Sequence, residues 1–208
     1  MAQNTGGYLD PKKSAVLVID MQNDFCHPEG AFGKSGANLK HMHQIVPALK
    51  RFVDAARSLG VTVVHVRSFL DEKFLSPSML ARNKQIGRTT GICPEGSWGS
   101  EFYEINPAPN EMILTKHAYS AFMGTDLQQT LSAKSIGTLM VTGVLTNVCC
   151  ESTLRDGFML GFHTVLVEDC CASTEEAAHR ATVENVRNYF GRVSKSADLI
   201  PFVQQVKS

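Results

Sequence analysis

The sequence has little that would draw it to a polyanion or a membrane. Its 208 residues carry 20 Lys and Arg against 20 Asp and Glu, a formal charge of zero. A nucleic-acid or polybasic membrane role calls for a cationic excess or a basic block, and neither is there. No apolar run approaches the ~18–20 residues of a membrane span. The opening MAQNTGGYLDPKKSA is polar rather than a basic-then-apolar export signal. No Gly-rich nucleotide fingerprint follows the first apolar run, and no CxxC or His cluster has zinc-binding spacing. A disulfide framework is missing too: Cys149–Cys150 and Cys170–Cys171 are vicinal, which makes bridging strained, and Cys26 and Cys93 complete the six. These absences predict a cytoplasmic globular protein with reduced thiols, no metal and no cofactor, whose partner is a small molecule rather than nucleic acid or membrane.

What is present is a hydrophobic share of 43%, enough for a sizeable core, distributed in two alternating patterns. Short β-branched runs read as strands buried on both faces: AVLVID (Ala15 to Asp20), VTVVHV (Val61 to Val66), MILT (Met112 to Thr115), Thr138 to Thr142, HTVLVE (His163 to Glu168) and Arg192 to Ser194. Between them lie helical stretches: Leu39 to Leu59, with Pro47 expected near its start or at a kink; Leu127 to Lys134, capped by Thr125 or Asp126; Asn147 to Gly161; Thr174 to Phe190; and a terminal helix. The stretch from Phe69 to Glu104 is irregular, with a short helix at Ser78 to Lys84. Strands alternating with helices predict one domain spanning 1–208, α/β in class, built on a six-stranded parallel sheet with helices on both faces.

Ligands of such sheets bind beyond the carboxyl ends of the strands, so the reactive residues that follow strands are the candidates. Asp20 ends the first strand, Lys116 follows MILT, and the turn Gly143 to Cys149 leads from the fourth strand into a helix. Acid, amine and thiol are 96 and 33 residues apart in sequence and converge on one rim. Cys149 near a helix N-terminus and beside an ammonium is expected to have a lowered pKa. Asp20 suits general acid/base work, and the turn can offer backbone N–H groups to an oxyanion. This is the equipment of a cysteine acyl-transfer hydrolase without a histidine.

Three stretches, VLVIDMQNDF, ILTKHAYSAF with GTDL, and VTGVLTNVCCESTLRDGF, resemble the isochorismatase-like cysteine hydrolases, in the same order and over most of the chain from about Ser14 to Val193. The resemblance implies a doubly wound, Rossmann-like fold and a catalytic triad of Asp20 as general acid/base, Lys116 as the residue that activates and orients the thiol, and Cys149, rather than Cys150, as nucleophile. It also implies a cis peptide before Leu145, which turns the Leu145 and Cys149 amides into an oxyanion hole. The nicotinamidase branch carries an Asp-x-His metal site after the second strand. HVRSFLDEKF offers His65 and Asp71 without that spacing, which again speaks against a metal. True isochorismatases cleave a vinyl ether and usually lack the cysteine. The tail, with VLVEDCCAS and ATVENVRNYFGRVS, looks most like the ureidoacrylate, biuret and N-carbamoyl amidohydrolases. C–N hydrolysis of a small amide, ureido or carbamoyl substrate through a thioester-type intermediate is the implied reaction, and a homo-oligomer, dimer or tetramer, the implied assembly. Vinyl-ether hydrolysis and nicotinamide deamidation remain the alternatives within the family. A non-catalytic binding protein and a thiol-redox protein are the alternatives outside it.

Further residues are candidates for substrate contact. Asn23 and Phe25 follow Asp20, although Phe25 equally suits the core. Arg67 ends the second strand, and its planar fork suits a carboxylate or carbonyl. Tyr119 and Phe122 follow Lys116 at a spacing that also suits packing. Asn147 is expected to cap the nucleophile helix and to reach substrate. Cys26 either lines the pocket or packs, and Trp98 either covers the site or serves an oligomer contact. Cys170 and Cys171 read as structural residues just past a strand end.

Overall fold

The computed structural model describes residues 9–87 and 91–205. Six strands form one sheet, paired in parallel throughout: β1 (Ser14–Ile19), β2 (Thr62–Ser68), β3 (Met112–Lys116), β4 (Thr138–Val144), β5 (His163–Ala172) and β6 (Arg192–Ser194). Their order across the sheet is β3-β2-β1-β4-β5-β6, so the order reverses at β1 and β4. That reversal is where an open α/β sheet leaves a crevice for a ligand.

Both faces of the sheet are covered, which explains why the strands read as continuous apolar runs. On one face Val16, Val18, Val63 and Met140 meet Met42, Leu49, Phe52 and Val53 of a 19-residue helix. On the other, Leu17, Ile19, Val64, Val66 and Val141 pack against Leu127, Leu131, Leu154 and Val183. The helices are α1 (Asn23–Cys26), α2 (Ala31–Lys34), α3 (Lys40–Ser58), α4 (Pro77–Gln85), α5 (Leu127–Ala133), α6 (Glu151–Met159), α7 (Glu176–Asn185) and α8 (Ser196–Gln205). Short π-helical turns, Thr146–Cys150 and Val186–Phe190, precede α6 and follow α7.

Several boundaries differ from those read in the sequence. Pro47 stands two turns inside α3 rather than near its start, where it leaves the His43 carbonyl without its helical donor. At α5 the cap is Thr125, whose Oγ1 accepts the Leu127 N–H at 3.3 Å, while Asp126 makes no side-chain cap. β5 runs on to Ala172, so Cys170 and Cys171 lie inside a strand, one toward each face, not beyond its end. The irregular stretch is tied down by isolated bridges, Gln22 to Phe102 and Leu70 to Ile92. Among the described residues, no helix is long and apolar enough to cross a membrane.

Gly143, near the end of β4, decides how closely β4 approaches β1. Its φ is +106°, and an added Cβ would lie 2.0 Å from the Ile19 carbonyl oxygen. A side chain there would part the strands at the residue before Asp20.

Candidate active site

The strand ends of β1, β2 and β3 deliver an acid, a hydroxyl and an amine to one buried point. Asp20 follows β1 with φ at +52°, a left-handed conformation that aspartate tolerates better than most side chains, and its N–H donates to the Val66 carbonyl at 2.9 Å. Ser68 and Lys116 end β2 and β3 as register partners. Ser68 donates its hydroxyl to Asp20 Oδ1 at 2.9 Å, and Lys116 Nζ donates to Asp20 Oδ2 at 2.9 Å. The ammonium also donates to Ser68 Oγ at 2.7 Å and to the Ala118 carbonyl at 3.0 Å, so its three N–H bonds all have acceptors. None of these side chains has measurable contact with solvent: Asp20, Ser68 and Lys116 are each 0% exposed.

Cys149 enters from the other side of the crevice, on the π-helical turn between β4 and α6. Such turns recur at functional positions because they re-aim side chains. It is buried, and its thiol stands in hydrogen-bonding contact with both Asp20 and Lys116. The Thr153 hydroxyl donates to the Cys149 carbonyl at 2.7 Å and accepts the Ala121 N–H at 3.0 Å, which ties the turn to the segment after β3. The peptide bond between Val144 and Leu145 is cis, as the resemblance implied. The Leu145 carbonyl accepts N–H bonds from Val148 and Cys150, both at 3.1 Å.

The electrostatics depart from expectation at the thiol. Burial pushes the Cys149 thiol well above its ordinary range; the Asp20 carboxylate adds to that push, and the Lys116 ammonium opposes it without prevailing. Burial also works against the Lys116 charge, but Asp20 and Cys149 together more than offset it and hold the ammonium above its usual value. The reason is charge neutrality: carboxylate and ammonium are already paired, so the thiol sees little net field and burial decides. The resting cluster is therefore carboxylate, ammonium and neutral thiol, not a preformed thiolate.

The remaining candidates are placed variously. Asn23 is buried, and its side-chain amide donates to the Trp98 carbonyl at 2.9 Å, which anchors the turn carrying that half-exposed indole. Phe25 packs in the core, edge-on to Phe32 at 5.2 Å. Arg67 lies on the face of β2 opposite Ser68. Its Nε donates to Thr115 Oγ1 at 3.0 Å and its guanidinium stacks 4.6 Å from the Phe69 ring, contacts that lead away from the cluster. Tyr119 is exposed at 41% beyond Lys116, while Phe122 stacks on Phe162 at 5.8 Å. Asn147 does not cap the helix: it sits inside the π-helical turn, and its Oδ1 accepts the Ser173 hydroxyl at 2.6 Å. Cys26 lies in the core with its thiol pushed up to about 12 by burial, eased by a Gln22 backbone bond.

Sequence reasoning missed two residues. Ser68 was passed over for its charged neighbour Arg67, although the two-residue period of a strand puts only one of them on the Asp20 side. Gln22 is buried and clamps Ser68: Gln22 Oε1 accepts the Ser68 N–H at 2.8 Å, and Gln22 Nε2 donates to the carbonyls of Ser68 and Ser100 at 3.0 and 2.9 Å. The signal was its place two residues beyond Asp20, on the same rim. His65 and Asp71 serve other ends: His65 pairs with Glu111, and Asp71 accepts the Glu95 N–H. Among the described residues no three His, Cys, Asp or Glu side chains gather as a metal site.

Fold and site together define the class, an α/β protein with a buried acid–amine–thiol cluster at the carboxyl edge of a parallel sheet. The chain belongs to the isochorismatase family: the Isochorismatase domain model matches residues 14–198. It is 33% identical over 207 residues to the ureidoacrylate amidohydrolase RutB of Caulobacter vibrioides, covering 91% of each chain. Its fold is similar to a cysteine hydrolase from Pseudomonas syringae pv. phaseolicola, at TM-score 0.85 and 27% identity over 99% of each chain. It is also similar to the N-carbamoylsarcosine amidase from Thermoplasma acidophilum, at TM-score 0.71 and 28% identity, over 88% of this chain and 96% of that one.

Proposed function

We propose that the protein is a cysteine-dependent amidohydrolase that cleaves a C–N bond in a small ureido or carbamoyl amide. The observation that carries this reading is the Cys149 thiol in contact with a fully buried Asp20–Lys116 pair. A buried ion pair is weak evidence for stability, whereas an acid, a cation and a nucleophile within reach of one another have a use in acyl transfer. The relatives named for ureidoacrylate and N-carbamoylsarcosine support the substrate class.

Because the thiol is neutral at rest, attack and proton transfer go together. Cys149 Sγ forms its bond to the substrate carbonyl carbon while its proton passes to Asp20, and the C=O electron pair moves to oxygen. The backbone N–H groups of Leu145 and Cys149 hold that oxyanion, and Lys116 balances the charge while Asp20 is protonated. Collapse of the tetrahedral intermediate breaks the C–N bond as Asp20 returns the proton to the departing nitrogen, releasing ammonia or an amine and leaving an acyl-thioester. Asp20 then takes a proton from water, whose hydroxyl adds to the thioester carbonyl. The thiolate leaves and recovers its proton from Asp20.

The test is ammonia release across ureido acids, biuret, carbamoyl amino acids, nicotinamide and maleamate. Turnover of a ureido or carbamoyl amide is expected, with complete loss in Cys149→Ala. A Cys149→Ala protein that turns over as fast as wild type refutes the mechanism, and activity on nicotinamide alone refutes the substrate class.

A further inference from the structure

Ser68 belongs to neither the expected triad nor the expected oxyanion hole, yet it stands between Asp20 and Lys116. Its hydroxyl proton goes to Asp20 Oδ1, so a lone pair of the same oxygen faces the ammonium at 2.7 Å, closer than either other Lys116 acceptor. An ammonium has three N–H bonds, and Asp20, Ser68 and Ala118 take all three. The Cys149 sulfur also lies in contact with Nζ, but a strong bond to it needs one of those protons. Asp20 is the counter-ion, and the Ala118 carbonyl is fixed by the backbone beside the lysine. The hydroxyl is the acceptor most easily given up, because Ser68 keeps its bond to Asp20 when the ammonium turns away.

We propose that Ser68 is a positioning residue that competes with the Cys149 sulfur for one Lys116 proton. With the proton on Ser68, the sulfur lacks a full charge-assisted donor and stays protonated. As sulfur gives up its own proton to Asp20, Lys116 swings that N–H from Ser68 Oγ to the thiolate. The hydroxyl thus delays thiolate formation until a substrate carbonyl is there to be attacked, and protects a buried thiol from adventitious electrophiles. The inference rests on Cys149 being the nucleophile.

The test uses iodoacetamide on the full-length protein, with peptide mapping to follow Cys149 and the alkylation rate measured against pH. In Ser68→Ala the freed Lys116 proton turns to sulfur. The rate profile is then expected to move about one unit toward lower pH. At about pH 8 the variant should alkylate roughly threefold faster, since the lower basicity of the thiolate takes back part of a tenfold gain. Ser68→Thr keeps the hydroxyl and should keep the wild-type profile. A looser fold would raise the rate at every pH without moving the profile, so the displacement along the pH axis separates competition from structural damage. Should Ser68→Ala fail to fold, Ser68→Cys preserves the volume with a poorer acceptor and makes the same test on the Cys149 peptide. An unmoved profile in the variant that folds overturns the inference while leaving Cys149 as nucleophile. Wild-type alkylation at cysteines other than Cys149 overturns both.

Discussion

The Asp20–Lys116 pair makes a quantitative test of how the site is held. At 2.9 Å, with both groups out of solvent, Coulomb's law at an effective dielectric constant of about 20 gives an attraction of roughly 6 kcal/mol. Taking the two ions out of water costs several kcal/mol each, so the intact pair adds little net stability, yet removing one partner leaves the other's cost unmet. The two partners are not left equally exposed. Without Lys116, Asp20 keeps the Ser68 hydroxyl and the thiol; without the Asp20 charge, Lys116 keeps Ser68 Oγ and the Ala118 carbonyl, two good acceptors. Lys116→Met should therefore lower the unfolding free energy by about 3–5 kcal/mol, a fall in Tm of roughly 6–20 °C for a chain of this length, and Asp20→Asn by less. Asp20→Asn with Lys116→Met leaves no charge behind and should return to within about 2 kcal/mol of wild type. Urea unfolding at neutral pH, followed by far-ultraviolet circular dichroism, measures all four corners of the cycle. If Lys116→Met is as stable as wild type, or the double variant loses the sum of the singles, the pair is not energetically coupled and the argument fails.

Two other features make predictions of their own. The Arg57 guanidinium, bonded twice to Glu111, holds that carboxyl at about 2, against the burial that raises it. A depressed carboxyl pKa gives stability that is complete above the unfolded value of about 4.3 and is lost as pH falls toward about 2. In Glu111→Gln, urea midpoints should be lower at neutral pH and flatter over that window; an unchanged acid slope would refute the assignment. Gly143→Ala places a methyl 2.0 Å from the Ile19 carbonyl oxygen at a φ of +106°, and should cost at least about 3 kcal/mol in thermal unfolding. A variant as stable as wild type would show that β4 has more room than the geometry allows.

The fold was legible because the strands are buried on both faces and so short that only β-branched apolar runs could supply them. The boundaries were less so, for local reasons. β5 outlasts its apolar run because Glu168 and Asp169 interrupt the pattern while the backbone stays extended, with Ser196 bonded to the Asp169 carboxylate from beyond β6. α1 and α2 are one-turn helices, too short to show a period. Pro47 misled because a proline in a long helix costs one hydrogen bond, which a buried apolar face of six side chains can offset.

The site was legible in its three charged or nucleophilic members, since each ends or follows a strand on the ligand-binding rim. It was misread wherever a neighbour had to be counted as well. Arg67 is the residue a search for charge selects at the end of β2, but its side chain leaves on the far face, and a plain serine one step on reaches the acid. The thiol pKa was misjudged the same way: Lys116 alone would lower it, and Lys116 already neutralised by Asp20 cannot. Sequence shows which groups are close to a strand end, but the state of a thiol depends on the sum of the fields around it and on how many donors remain unclaimed. Here that sum is near zero and all three ammonium protons have acceptors. A cluster that looks built to hold a thiolate therefore holds a thiol, and its reactivity must be released by the event that moves a proton to Asp20.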